Sequence, residues 1–223
     1  MDVYTFTSIG PSKDYNEDVI LADLDRGILI QADGMSSRNG KESSMIAVDA
    51  AYDFLKKNQD ATKKKQLPIE ALRCAFLMAQ RNLNYKMNNS SGTTLDIIVL
   101  KKNNVLLGHV GDSRVYLASE GKVHLLTKDH TDTIGMLENF VGGQSLHVDL
   151  KILYLRNNDV LTLCTDGVHK YASESVIKSA MLNLNSTSEE IGTKITNDVQ
   201  AQNGEIKIAT DNMSIIVYRH TRK

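Results

Sequence analysis

The segment Gly27-Ile-Leu-Ile-Gln-Ala-Asp-Gly-Met35 is an apolar run of strand length that stops on an aspartate followed by glycine. Burying Ile28, Leu29 and Ile30 fixes a strand, so Asp33 is carried to the end of a sheet, where a carboxylate stays hydrated or meets a cation. Gly34 then lets the backbone turn and bring its carbonyl to whatever Asp33 holds. The same grammar returns twice. Val160 to Gly167 is an apolar run closing on Asp166-Gly167, and Leu106 to Asp112 closes on Gly111-Asp112. For one Asp-Gly alone, a capped turn is the simpler reading. Three strand runs ending in acids point instead to a shared carboxylate site.

Between the acids the periodicity alternates in blocks. Val3 to Ile9 is β-branched or aromatic enough for a strand, which Gly10-Pro11-Ser12 ends. The polar loop Lys13 to Asp18 leads into a strand at Val19 to Ala22, and Asp25-Arg26-Gly27 turns it back as a hairpin. Ala47, Ala50, Ala51 and Phe54 fall at helical spacing. A second helix is expected to start at Pro68, with Ile69, Leu72, Phe76, Ala79 and Leu83 as a stripe that belongs to the core. Strands follow at 94–100, 105–110, 114–118, 123–127, 148–155 and 160–165, and 128–144 is a polar loop with room for one helical turn. Ser173 is placed to cap one helix, and Thr187 and Glu190 have capping-box spacing for another. Met213 to Tyr218 is the last strand. Strands, two helices, strands, two helices and a strand do not alternate as a parallel sheet requires, so the expected class is α+β, antiparallel sheets with helices packed outside.

At 223 residues the chain is long enough for one large domain with a real core. Its net charge of -1 gives no overall electrostatic case for nucleic acid or an anionic membrane. The run Lys63-Lys64-Lys65 lies between two helical patterns and reads as a solvated loop. Cys74 and Cys164 fall in a helical and a strand pattern, and both read as small buried hydrophobes of a reduced protein. The amino terminus lacks the basic and apolar regions of a signal peptide, and no apolar run reaches the ~20 residues that cross a bilayer. A cytoplasmic location is the expectation.

Acids gathered at strand ends repel one another unless cations compensate. A set of carboxylates with no His or Cys cluster suits hard divalent ions, Mg²⁺ or Mn²⁺, rather than zinc. Two such ions ~3.5–4 Å apart can share a carboxylate and a bridging water, and phosphoester cleavage is the natural use.

The motifs Asn16-Glu17-Asp18, Asp33-Gly34-Met35, Gly92-Thr93-Thr94, Gly111-Asp112-Ser113-Arg114, Leu126-Thr127-Lys128-Asp129-His130-Thr131, Thr165-Asp166-Gly167 and Asp211-Asn212 occur in this order across nearly the whole chain. The ordered set resembles the metal-dependent type-2C serine/threonine protein phosphatase family, in its compact bacterial form. The resemblance implies a four-layer α-β-β-α sandwich, two antiparallel sheets flanked by helix pairs, as a single catalytic domain over 1–223. It implies two divalent cations. Asp33 would bridge them, the Gly34 carbonyl would join one, and Asp166 and Asp211 would hold the other. Of the Glu17-Asp18 pair, Asp18 would be the direct ligand and Glu17 would act close behind it. Asp112 matches a position that, with Asp166, supports a third, weaker metal in bacterial relatives; a turn residue in a structural Gly-Asp-Ser-Arg motif is the competing reading. The implied reaction is attack by a metal-bridged water on phosphoserine or phosphothreonine, without a phosphoenzyme. The implied partners are a phosphoprotein substrate and a Ser/Thr kinase that the enzyme opposes, with the phosphatase itself a monomer.

The chain departs from the family pattern in four places. Lys13 stands where relatives carry an arginine that grips the substrate phosphate; a lysine is a point charge without the bidentate fork, and a plain solvated loop residue is its alternative. Ser36-Ser37 replaces two glycines. Met35 stands where eukaryotic relatives carry a histidine; His130 is a substitute general acid on paper, but a histidine in Asp-His-Thr fits a structural role better. The segment 131–144 is short for the family flap, which predicts an open cleft and broad activity on small aryl phosphates. Two other functions compete: a pseudophosphatase acting as a binding module, and a hydrolase of non-protein phosphoesters.

Overall fold

In the computed structural model, which describes residues 2–35, 39–62, 68–88, 91–202 and 211–221, strands and helices fall in nearly the expected order. They are β1 (Asp2–Ser8), β2 (Asp18–Asp23), β3 (Ile28–Asp33), α1 (Gly40–Thr62), α2 (Ile69–Met87), β4 (Leu95–Lys101), β5 (Asn104–Val110), β6 (Arg114–Ser119) and β7 (Lys122–Leu125). There follow β8 (Asp149–Tyr154), β9 (Val160–Cys164), α3 (Asp166–His169), α4 (Glu174–Met181), α5 (Ser188–Gln202) and β10 (Met213–Arg219). All strand pairs are antiparallel. The α+β class is as expected.

The chain divides into two units. One comprises Glu17–Ser113 and Asp129–Tyr154. Its sheet has the order β2-β3-β4-β5-β8. The run Ile28-Leu29-Ile30 is wholly buried, which explains why β3 reads as a continuous apolar stretch rather than an alternating one. Ile28, Ile30 and Ala32 share a core with Ala47, Ala51 and Leu55 of α1 and with Leu72, Phe76, Ala79 and Leu83 of α2. The small α1 residues let that helix lie close to the sheet. Tyr52 of α1 donates to Asp23 Oδ2 at 2.7 Å and ties the helix to the β2–β3 hairpin.

The other unit comprises Met1–Asn16, Arg114–Lys128 and Leu155–Lys223, with sheet order β1-β10-β9-β6-β7. Its core joins Cys164, Ile215 and Val217 of the sheet to Ile177 and Met181 of α4 and Ile191, Ile195 and Val199 of α5. The capping box on α5 forms as its spacing predicts: Thr187 N–H donates to Glu190 Oε2 at 2.7 Å, and Glu190 N–H to Thr187 Oγ1 at 3.2 Å.

Several expectations need correction. Cys74 is exposed, not buried; Cys164 alone is in a core. Pro68 is the residue before α2 rather than its first. Ser173 sits at the amino cap of α4 but makes no side-chain cap there, and its own N–H donates to Asp198 Oδ2 of α5 at 2.8 Å. The segment 128–144 contains isolated bridges and turns but no helical turn. Helix α3 was not expected at all. Ser36-Ser37 and Lys63-Lys64-Lys65 lie outside the described residues. Among the described residues no helix is long and apolar enough to cross a membrane.

Candidate active site

Asp18 opens β2 and Asp33 closes β3, and the antiparallel register sets them directly opposite each other. Asp18 is buried and Asp33 half-buried. The backbone of Asp33 is pinned on both sides. Its N–H donates to Thr94 Oγ1 at 2.9 Å, and its carbonyl accepts from Thr93 Oγ1 at 2.8 Å and from Thr94 N–H at 2.9 Å. The next residue is held as firmly. Gly34 N–H donates to the Glu17 carbonyl at 3.1 Å, which also accepts Ser44 Oγ of α1 at 2.6 Å. A Cβ on Gly34 would strike the Gly40 carbonyl and lie 2.9 Å from that of Glu17, so only glycine fits this approach. The Glu17 carboxylate lies against Gly40, the first residue of α1, where the helix dipole favours a negative charge.

Asp112, in the same unit, is buried in the turn after β5. Gly111 precedes it with φ of +117°, and its carbonyl accepts His130 N–H at 2.8 Å. Gly111 N–H in turn donates to His130 Nδ1 at 3.2 Å, and Asn139 Nδ2 stands 2.8 Å from the same nitrogen. Two donors on Nδ1 leave the imidazole proton on Nε2, which faces Asp149 Oδ2 at 3.3 Å. Burial and the neighbouring His109 hold the His130 pKa below its ordinary value, and the Asp149 contact opposes them only in part. Both His130 nitrogens are thus engaged in fixing the turn. The connection beyond His130 closes on itself: Asp132 Oδ1 accepts the N–H groups of Ile134 and Met136 at 2.9 and 2.8 Å, leaving those two side chains exposed.

In the other unit, Asp166 opens α3 directly after β9. Gly167 packs so closely on the Asn212 carbonyl that no side chain fits, and this places Asp166 and Asp211 at the same end of the β9–β10 pair. Asn212 Nδ2 donates to the Tyr15 carbonyl at 2.9 Å and fastens the loop that carries Lys13. Lys13 Nζ lies 2.8 Å from Asp211 Oδ1, which also accepts Asn212 N–H at 2.9 Å. Lys170 Nζ lies 2.7 Å from Asp166 Oδ2. The other Asp166 oxygen, Oδ1, is buried and accepts no hydrogen bond.

A family model described as protein phosphatase 2C matches residues 11–209. The chain belongs to that family. A serine/threonine phosphatase stp from Listeria welshimeri is 26% identical over 221 aligned residues, covering 85% of this chain and 86% of the relative. In fold, the Mycobacterium tuberculosis serine/threonine phosphatase PstP/Ppp superposes with a TM-score of 0.84 at 20% identity, covering 98% of each chain. The catalytic domain of a serine/threonine protein phosphatase PstP, solved in complex with two manganese ions, superposes with a TM-score of 0.81 at 21% identity over 96% of each chain.

The acids of this protein phosphatase 2C chain fit hard divalent cations on their own chemistry. Among the described residues no three His, Cys, Asp or Glu side chains converge as a metal cage. Mg²⁺-like ions do not need one, since they keep several waters and take one or two carboxylates. The Asp18–Asp33 pair meets that requirement in one unit and the Asp166–Asp211 pair in the other. The buried Asp166 Oδ1 is an acceptor waiting for a cation or a donor, because a buried carboxylate oxygen left alone is costly.

Some participants were not singled out from the sequence. Thr93 and Thr94 occur in a quoted motif, but their task of clamping Asp33 follows only from the pairing of Gly34 with Thr93. Ser44 and Lys170 carried no motif. For Lys170 the available signal was its position four residues after Asp166, which matters only if that stretch is helical.

Proposed function

We propose that this protein phosphatase 2C chain hydrolyses phosphoserine and phosphothreonine in proteins, as one catalytic domain over 1–223, monomeric and cytoplasmic, opposing a Ser/Thr kinase. Two divalent cations, Mn²⁺ or Mg²⁺, are its cofactors. Asp18, Asp33, Glu17 and the Gly34 carbonyl are assigned to one cation. Asp166 and Asp211 are assigned to the other, and Asp112 to a third, weaker position. Bound cations supply the charge that makes a water nucleophilic at neutral pH and neutralises phosphoryl oxygens. The chain's own part is to hold carboxylates in fixed positions at strand ends and to present Lys13 to the substrate phosphate. The observation that carries the reading is the facing pair Asp18 and Asp33, since rigid like charges in register make sense around a cation.

The test is hydrolysis of p-nitrophenyl phosphate and of a phosphothreonine peptide with Mn²⁺, with EDTA, and by Asp33→Asn. The expected result is turnover of both substrates with Mn²⁺ only, and its loss in the variant. Retained activity in Asp33→Asn would remove Asp33 from the mechanism.

A further inference from the structure

Both acids assigned to the second cation already hold an ammonium group of this chain, Asp211 that of Lys13 and Asp166 that of Lys170. We propose that Lys170 is a built-in rival of the divalent cation for Asp166, so that metal affinity at the Asp166–Asp211 pair is set by a side chain that must give way. The proposal rests on the metal reading above and adds to it a residue that tunes the site.

The geometry supports competition rather than support. Lys170 stands four residues after Asp166, at the end of α3, and reaches back to Oδ2 in direct contact. Its side chain is 49% exposed while that of Asp166 is 18% exposed, so the ammonium can swing into water while the carboxylate stays in place. One ammonium also leaves the acid incompletely served, because Asp166 Oδ1 is buried without a hydrogen bond. A dication could engage that oxygen, which Lys170 leaves unbonded. Asp211 repeats the arrangement, with Oδ1 shared between Lys13 and the Asn212 N–H. Exposed ion pairs are weak, so the rivalry is worth a modest factor and not an on–off switch.

Mn²⁺ binding measured by calorimetric titration, with free Mn²⁺ followed by electron paramagnetic resonance, tests this apart from turnover. Lys170→Met should bind Mn²⁺ about two- to fivefold more tightly than the unaltered chain at one site, as loss of a weak exposed pair requires. Lys170→Arg, which keeps the charge, should stay within about twofold. Lys178→Met removes a lysine from the exposed Glu174 pair on α4 and should change nothing. Thermal unfolding in EDTA establishes that each variant is folded before titration. Unchanged or weaker Mn²⁺ binding by Lys170→Met would overturn the proposal and make Lys170 a residue that positions Asp166. Equal tightening by Lys178→Met would overturn it too, by reducing the effect to net charge. Failure of the unaltered chain to bind Mn²⁺ at all would bring down the metal reading, and the rivalry with it.

Discussion

Asp18 and Asp33 are register partners across the β2–β3 ladder, so two acids face each other on one side of a rigid hairpin. Like charges directly opposite in a sheet are destabilising by about as much as a favourable pair stabilises, on the order of 0.2–1 kcal/mol. A divalent cation between them reverses the sign. Mn²⁺ should therefore raise the melting temperature of the protein, by mass action worth about 2.7 kcal/mol at a hundredfold excess over Kd. Asp33→Asn should abolish most of that rise while leaving the EDTA form at least as stable as before. Scanning calorimetry in EDTA and in Mn²⁺ reads both effects, and an undiminished Mn²⁺ shift in the variant would contradict the assignment.

His130, which fixes the turn around Asp112, and its partner Asp149 on β8 give stability a stepped dependence on pH. His130 is held below its ordinary value of 6.5, chiefly by burial and then by His109. The unfolded chain therefore binds a proton that the folded chain refuses. Stability is full above about 6.5 and declines as pH falls from there to the folded-state pKa of His130. Burial is the largest single influence on the Asp149 pKa and raises it, but the hydrogen bond from His130 and the charges of His130, His109 and His147 together outweigh it, and the net shift is down from 3.8. Its contribution is present above that value and is lost only as pH falls through the lower folded-state pKa. Urea unfolding between pH 7.5 and pH 3 should show the two declines as separate steps. His130→Gln should flatten the upper one.

Lys13 lies on Asp211 in the position assigned to phosphate binding, and the two roles make different demands. If its ammonium meets the substrate, Lys13→Ala should raise KM for p-nitrophenyl phosphate about tenfold, the low end for a charge-assisted hydrogen bond, with kcat changed far less. Lys13→Arg should lower KM below that of the unaltered chain, because a guanidinium grips phosphate with two parallel bonds. Steady-state kinetics at saturating Mn²⁺ separates these outcomes. An unchanged KM in Lys13→Ala would confine Lys13 to its ion pair.

What could be read from the sequence divides along a physical line. The runs ending in Asp33 and Asp166 were legible because a fully buried strand needs continuous apolar residues and its first acid has to mark its end. The strand order within each sheet was not, since β1 pairs with β10 across the whole chain and no local pattern encodes that partner. Helix α3 is four residues long and begins Asp-Gly, which locally reads as a turn. Without it the approach of Lys170 to Asp166 had no basis. The exposure of Cys74 follows from the helix spacing. With Leu72, Phe76, Ala79 and Leu83 facing inward, a residue two positions from both Leu72 and Phe76 falls on the opposite side of α2.

Asp96 shows how a polar residue inside an apolar run can matter more than its neighbours. It sits in β4 between register partners Gln31 on β3 and His109 on β5, and all three are buried. Its Oδ1 lies 2.6 Å from His109 Nδ1, and its Oδ2 accepts Gln31 Nε2 at 2.8 Å, so one carboxylate links a polar row across three strands. The His109 ring in turn lies 4.8 Å from that of His130, which carries the row toward the turn holding Asp112. Asp96→Ala strips two buried groups of their shared acceptor and should cost about 3–5 kcal/mol. Replacing Gln31, Asp96 and His109 together by leucine removes the groups along with their bonds. That triple variant should therefore lose less stability than the sum of the three single leucine variants, since the penalty lies in stranded partners rather than in absent bonds. Urea unfolding of the four leucine variants and the unaltered chain measures the difference, and simple additivity would mean that the three residues act independently.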